Sequence, residues 1–253
     1  MKEERRYWKQ MINLKDKKIL VMGATGYIGK QIAIKLAKLG ASLVISGRDE
    51  NKLNQLLNEL DGKHNSLVFD VNDLSTTMDF MEKAIYLDNK KISALVYCIG
   101  IFPLRPLKSL KTDFLHNMMH INFYSFIEII RCFSNKKICE KGSIVSLSSY
   151  ASTNGDKGQL AYAASKAAMD SSIRIIAKEL FNKNIRINAI RPASLLSEEI
   201  NFSDLPKGIQ NSINSMGTGP ICPEKLAEQV AFLVSDSSSG IYGRCLDIKG
   251  YLV

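Results

Sequence analysis

The sequence predicts an α/β fold, a doubly wound parallel sheet of about seven strands with helices on both faces. Two observations predict it. Short apolar runs rich in β-branched residues alternate along the chain with amphipathic segments of helical period. The runs are apolar on both sides rather than alternating, as strands covered by helices on each face must be. Connections between such parallel strands are expected to be right-handed crossovers.

Taken in order, the predicted strands are 18–22, 42–46, 65–69, 92–98, 142–148, 185–190 and 244–249. The predicted helices lie between them at 28–40, 50–60, 74–87, 112–137, 160–182 and 223–235. At 253 residues the chain fits one large domain, and no repeat or low-complexity linker divides it. Residues 1–15 precede the first strand and read as an N-terminal extension, with residues 16–253 as the single domain. Residues 193–222 hold three glycines and two prolines without clear period. A segment of that length in a compact domain is expected to be a lid over a substrate.

Composition bounds the function. Hydrophobic residues make 45% and charged residues 23%, ordinary for a folded protein. No run reaches the about 18 apolar residues of a membrane helix, and the charged start MKEERRYWKQMINLKDKK lacks the apolar core of a secretory signal. A cytoplasmic location without a membrane partner is expected. The net charge of +9 is spread along helices among acidic residues, so it reads as a solvated surface and not a nucleic-acid module. Five scattered cysteines lack metal-binding spacing. His116 and His120 stand four apart without a third ligand, so no metal is expected.

Chemistry enters with GATGYIGK at 23–30, between the first strand and the first helix. Gly23, Gly26 and Gly29 suit a tight turn, close backbone approach and close packing of helix on strand. The helix N-terminus behind them offers free N–H groups and a positive dipole end to a pyrophosphate. A Rossmann-type nucleotide turn is expected, with Thr25, Tyr27 and Ile28 also facing the ligand. The second strand ends in Gly47-Arg48, with no carboxylate to take ribose hydroxyls. A guanidinium there suits a 2′-phosphate, so NADP(H) is expected over NAD(H). Asp49 reads as the cap of the next helix. Asp70 and Val71 close the third strand, where Asp70 either meets an adenine edge or forms a turn.

Tyr162 and Lys166 in YAASK are four apart, on one face of a helix. Ser149 closes the strand SIVSLSS. A phenol titrates near ~10, and a neighbouring ammonium is expected to lower that value. A serine hydroxyl beside it can hold a carbonyl or alkoxide oxygen. Together these protonate a carbonyl while hydride arrives from a nicotinamide.

With GATGYIG, SIVSLSS, YAASK, IRINAIRPA and the tail 223–250, the chain resembles the short-chain dehydrogenase/reductase family, in its single-domain, 3-oxoacyl-[acyl-carrier-protein] reductase-like branch, over about residues 16–250. The resemblance implies a tetrad of Asn122, Ser149, Tyr162 and Lys166, with Asn122 at a helix kink. It implies that Lys166 also grips the nicotinamide ribose and that Gly100 and Pro192 border the cofactor. It implies a small carbonyl or alcohol substrate and a homotetramer or homodimer, paired through helices 112–137 and 160–182. Met22, Tyr27, Cys98 and Ala193 depart from the usual pattern, and the glycine spacing is that of longer, sugar-modifying members. Those departures keep two alternatives open: an NAD-linked nucleotide-sugar epimerase or dehydratase, and a cofactor-binding member without catalysis.

Overall fold

A computed structural model describes residues 12–193 and 221–249, together with residues 203, 207 and 210. Most of the expected lid at 193–222 and most of the extension at 1–15 therefore lie outside the described residues.

Seven parallel strands form one sheet: β1 (Lys18–Met22), β2 (Ser42–Gly47), β3 (Asn65–Val68), β4 (Ala94–Tyr97), β5 (Gly142–Leu147), β6 (Ile185–Pro192) and β7 (Cys245–Ile248). Their spatial order is β3-β2-β1-β4-β5-β6-β7. The direction of winding reverses between β1 and β4, which opens a crevice at their carboxyl ends, where ligands of such sheets bind. The helices are α1 (Tyr27–Lys38), α2 (Glu50–Glu59), α3 (Thr77–Tyr86), α4 (Thr112–Met119), α5 (Ser125–Phe133), α6 (Ala151–Asn154), α7 (Leu160–Leu180) and α8 (Pro223–Val234).

Strand alternation divides the core in two. Ile19 and Val21 of β1 join Ile32 and Leu36 of α1, Leu53 of α2 and Leu226 and Val230 of α8. Leu20 and Met22 face the other way, onto Phe80 of α3, Phe126 and Ile129 of α5 and Ile173 of α7. The predicted two-faced burial is what the packing delivers: all five residues of β1 are buried.

Two local expectations change. The helix predicted over 112–137 ends at Phe133 and is broken by a π turn at His120–Tyr124. Two hydroxyls brace that turn, one of them distant in sequence. Tyr97, fully buried at the end of β4, donates its hydroxyl to the Ile121 carbonyl at 3.2 Å and meets Ser125 Oγ at 2.7 Å. Ser125 Oγ reaches the same carbonyl at 2.6 Å. Strand β5 stops at Leu147, so Ser149 stands two residues beyond it, at the head of α6, a helical turn the period gave no sign of. Asp49 does cap α2, accepting from the Lys52 amide at 3.1 Å.

Candidate active site

The glycine turn leaves β1 at Gly23, whose φ of +75° is a conformation that L side chains rarely adopt. The Gly23 and Ala24 amides both donate to the Ser46 carbonyl at 2.9 Å, which ties the turn to β2. A Cβ on Gly29 would lie 2.2 Å from the Gly23 carbonyl oxygen, so α1 can approach the turn this closely only with glycine there. Gly26 is exposed and caps α1 without a side chain, and the first turn of α1 holds no acidic residue. That is a bare helix N-terminus, the arrangement that suits a phosphate. Thr25, Tyr27 and Ile28 are half-buried around it.

At the next strand end, a Cβ on Gly47 would come 2.9 Å from Thr25 Oγ1, so this glycine makes room for the Thr25 side chain. Arg48 is exposed, and no ion pair or hydrogen bond engages its guanidinium among the described residues. Asp70 accepts from the amide and side chain of Asn72 at 3.0 and 2.9 Å, which is the turn-forming alternative. His120 Nε2 lies 2.9 Å from the Val71 carbonyl, which gives that histidine a partner other than metal.

Asn122 and Lys166 meet beside Gly100, past the end of β4, and Tyr162 stands beside Lys166 and Ser149. Asn122 is fully buried in the π turn. Its Oδ1 accepts from the Ile101 amide at 2.9 Å, and its Nδ2 donates to the Ile101 carbonyl at 3.1 Å and to Ser165 Oγ at 3.0 Å. A Cβ on Gly100 would sit 3.3 Å from Lys166 Nζ and 3.5 Å from Asn122 Oδ1, so these groups meet above a bare backbone. Lys166 is 3% exposed and donates to the Leu147 carbonyl at 2.8 Å. Burial brings its pKa down from 10.5 to about 8, with Asp170 and Cys98 acting the other way. Ser149 accepts from the Ala151 amide at 3.1 Å and hydrogen-bonds the Tyr162 hydroxyl.

The Tyr162 phenol departs from expectation. Burial raises its pKa, and only the Ser149 hydrogen bond opposes this. Lys166 Nζ stands 5.9 Å from the tyrosine ring centroid and gives one of its protons to Leu147, and burial outweighs its charge at the phenol. Pro192 ends β6, its carbonyl accepting from the Tyr150 amide at 3.0 Å. Sequence reasoning missed Tyr97, Ser125 and Ser165, which hold the Asn122 segment. Hydroxyl residues facing one another across a strand and a helix were the available signal.

Comparisons with known proteins agree on one relationship. The family model described as enoyl-(acyl carrier protein) reductase matches residues 23–250. An L-xylulose reductase of Caenorhabditis elegans is 31% identical over 93% of this chain and 95% of its own length. A 3-oxoacyl-[acyl-carrier-protein] reductase of Thermotoga maritima is 30% identical over 96% of this chain and all of its own. A 7α-hydroxysteroid dehydrogenase solved with NADH and 7-oxoglycochenodeoxycholic acid superposes with a TM-score of 0.86 at 27% identity, covering 96% of each chain.

The buried ammonium has a thermodynamic consequence. An unfolded lysine keeps its proton to about 10.5, whereas folded Lys166 releases it near 8. Below pH 8 the full cost of burying charge is present, and it disappears as pH rises through that window. Lys166→Met is therefore expected to stabilise the unliganded protein at pH 7 by about 1–2 kcal/mol, a rise of a few degrees in Tm. Urea titrations from pH 7 to 10 should show the wild-type advantage of high pH lost in the variant. A lower Tm for Lys166→Met would overturn this account.

Proposed function

The chain belongs to the short-chain dehydrogenase/reductase family, and from that premise we propose that it is an NADP(H)-dependent oxidoreductase interconverting a small carbonyl compound and its alcohol. The observation that carries the reading is the meeting of Ser149, Tyr162, Lys166 and Asn122 at the crevice beside the glycine turn.

The fit of a dinucleotide rests on the bare N-terminus of α1 and on glycines whose added Cβ atoms would close the turn. Gly23, Thr25, Gly26, Tyr27, Ile28 and Gly29 would hold the pyrophosphate, and Arg48 the ribose phosphate. The 70–71 segment would border adenine, and Gly100, Pro192, Tyr162 and Lys166 the nicotinamide end. When bound, the nicotinamide supplies or accepts the hydride. Tyr162, neutral through the physiological range, donates its hydroxyl proton to the substrate oxygen in reduction and recovers it in oxidation. Ser149, already bonded to that hydroxyl, holds the same oxygen. Lys166 sets a positive charge beside the developing alkoxide, and Asn122 fixes the Ile101 backbone that walls the site. The Phe102 ring packs edge-on against Tyr162 with centroids 4.4 Å apart and is half exposed, so the carbonyl is approached along an apolar surface.

Tyr162→Phe keeps the ring and removes the proton. Reduction of a ketone panel with NADPH is expected to fall by at least about 100-fold in kcat, with NADPH affinity within a few-fold. More than a tenth of the wild-type rate would remove Tyr162 from the acid–base role.

Cofactor choice rests on Arg48, although a structural relative carries NADH. The preference for NADPH over NADH in kcat/KM should be about ten- to a hundred-fold and be mostly erased in Arg48→Ala. Equal or better use of NADH by the wild type would refute it. Gly47→Asp is a poorer test, since its Cβ meets Thr25.

The family resemblance also supports a homotetramer or homodimer, and exposed Tyr124 beside α5 and Ile175 on α7 lie on the helices it names. Light scattering at micromolar concentration should exceed the 28.2 kDa chain mass. A monomer would sink this part of the proposal.

A further inference from the structure

One buried carboxylate has no part in the acid–base scheme. Asp170 lies on α7 one helical turn beyond Lys166 and is 7% exposed. Its Oδ2 accepts from Ser152 Oγ at 2.5 Å and lies 3.6 Å from Arg191 Nη1. Arg191 Nε is 2.6 Å from Asp247 Oδ1, and Arg191 Nη2 reaches the Cys245 carbonyl at 3.4 Å. The Cys245 thiol faces the Asp170 carbonyl at 3.7 Å. One side chain on α7 thus links α6, β6 and, through the arginine, β7.

The neighbours Met169 and Ile173 are fully buried core residues, so an apolar side chain would suit this stretch of α7. A buried ion cluster is weak evidence for stability, because desolvation offsets most of the attraction. What the cluster joins is more informative. Ser152 follows Ser149 by three residues, in the turn where the Ala151 amide holds Ser149 Oγ. Arg191 adjoins Pro192, whose carbonyl takes the Tyr150 amide. Tyr162 and Lys166 lie on α7 itself.

We propose that Asp170 is a positioning residue for the reaction, its carboxylate fixing the Ser149 turn and the end of β6 onto the helix that carries Tyr162 and Lys166. The proposal rests on the acid–base reading above. The hydroxyl, phenol and ammonium come from a turn and a helix that no covalent constraint holds in register, and a 1 Å misplacement in such a site costs up to about 100-fold in rate. Ser152 and Arg191 hold two sides of that register through one carboxylate.

A second consequence follows from charge. The groups around Asp170 are Lys166 and Arg174 on its own helix, Ser152 from α6, Arg191 from β6, and Cys245 and Asp247 from β7. Asp170 raises the Lys166 pKa against the larger effect of burial. Removing its charge lowers that pKa further, so the ammonium is lost at lower pH.

Two variants separate the roles. Ser152→Ala cuts only the tie to the Ser149 turn and keeps the ion pair. Asp170→Asn keeps an oxygen for Ser152 and removes the charge. Ser152→Ala is expected to lower kcat about five- to twentyfold with the KM for NADPH within twofold, and to leave the alkaline limb of the kcat–pH profile in place. Asp170→Asn should lower kcat and move that limb to lower pH. Hydrogen exchange at the Ala151 amide should quicken about tenfold in Ser152→Ala, since Ser149 Oγ is no longer held. Variants that melt earlier yet keep the wild-type kcat, alkaline limb and Ala151 protection would make the cluster structural and overturn the proposal. The exchange measurement needs no turnover. If the wild type reduced no carbonyl, the functional reading would fail, and unchanged Ala151 protection would separately refute the clamp.

Discussion

The site depends on an ammonium held almost out of water. Lys166 is buried to 3% and, among the described residues, has one hydrogen-bond acceptor, the Leu147 carbonyl. An ammonium carries three donors, so two remain for whatever enters the crevice. Lys18 is equally buried at the other end of the sheet, but Asp88 and the carbonyls of Ala84 and Lys90 satisfy it. One lysine is closed off as structure, and the other stays under-satisfied at the carboxyl ends of β4 and β5. The missing side chain at Gly100, the Asn122 amide and the Leu147 carbonyl all follow from making room for that charge.

Keeping Asn122 there requires a helix that departs from its own repeat. An α-helix through 112–133 would carry regular four-residue hydrogen bonding, and the π turn at 120–124 interrupts it. The Tyr97 and Ser125 hydroxyls converge on the Ile121 carbonyl inside that turn. Burial of the Tyr97 phenol raises its pKa far above the ordinary range, so it remains a neutral hydrogen-bonding group. Tyr97 thus braces the helix from the sheet.

Much of this was legible in the sequence, for a physical reason. The seven strands, the glycine turn and the tyrosine–lysine pair are encoded within a few residues of chain: apolar period, φ freedom and helical spacing. The π turn, α6 and the Asp170 cluster are not. They arise where Tyr97 meets Ser125, Ser152 meets Asp170, and Asn122 meets Ser165, contacts that local period cannot see. Asp70 was ambiguous because a carboxylate after a strand serves a turn or a ligand equally well, and its bonds to Asn72 supply the turn.

The sign of the Tyr162 shift marks the limit of reasoning from spacing. Four residues on a helix put the phenol and the ammonium on one face, which suggests mutual stabilisation of opposite charges. But a charge acts on a phenol only as strongly as its direction, distance and surroundings allow, and here the lysine proton turns to Leu147 while the phenol turns to Ser149. Desolvation is then the largest effect on each group, pushing the phenol up and the ammonium down. Each shift disfavours the charged form. The Tyr162 phenol therefore keeps its proton.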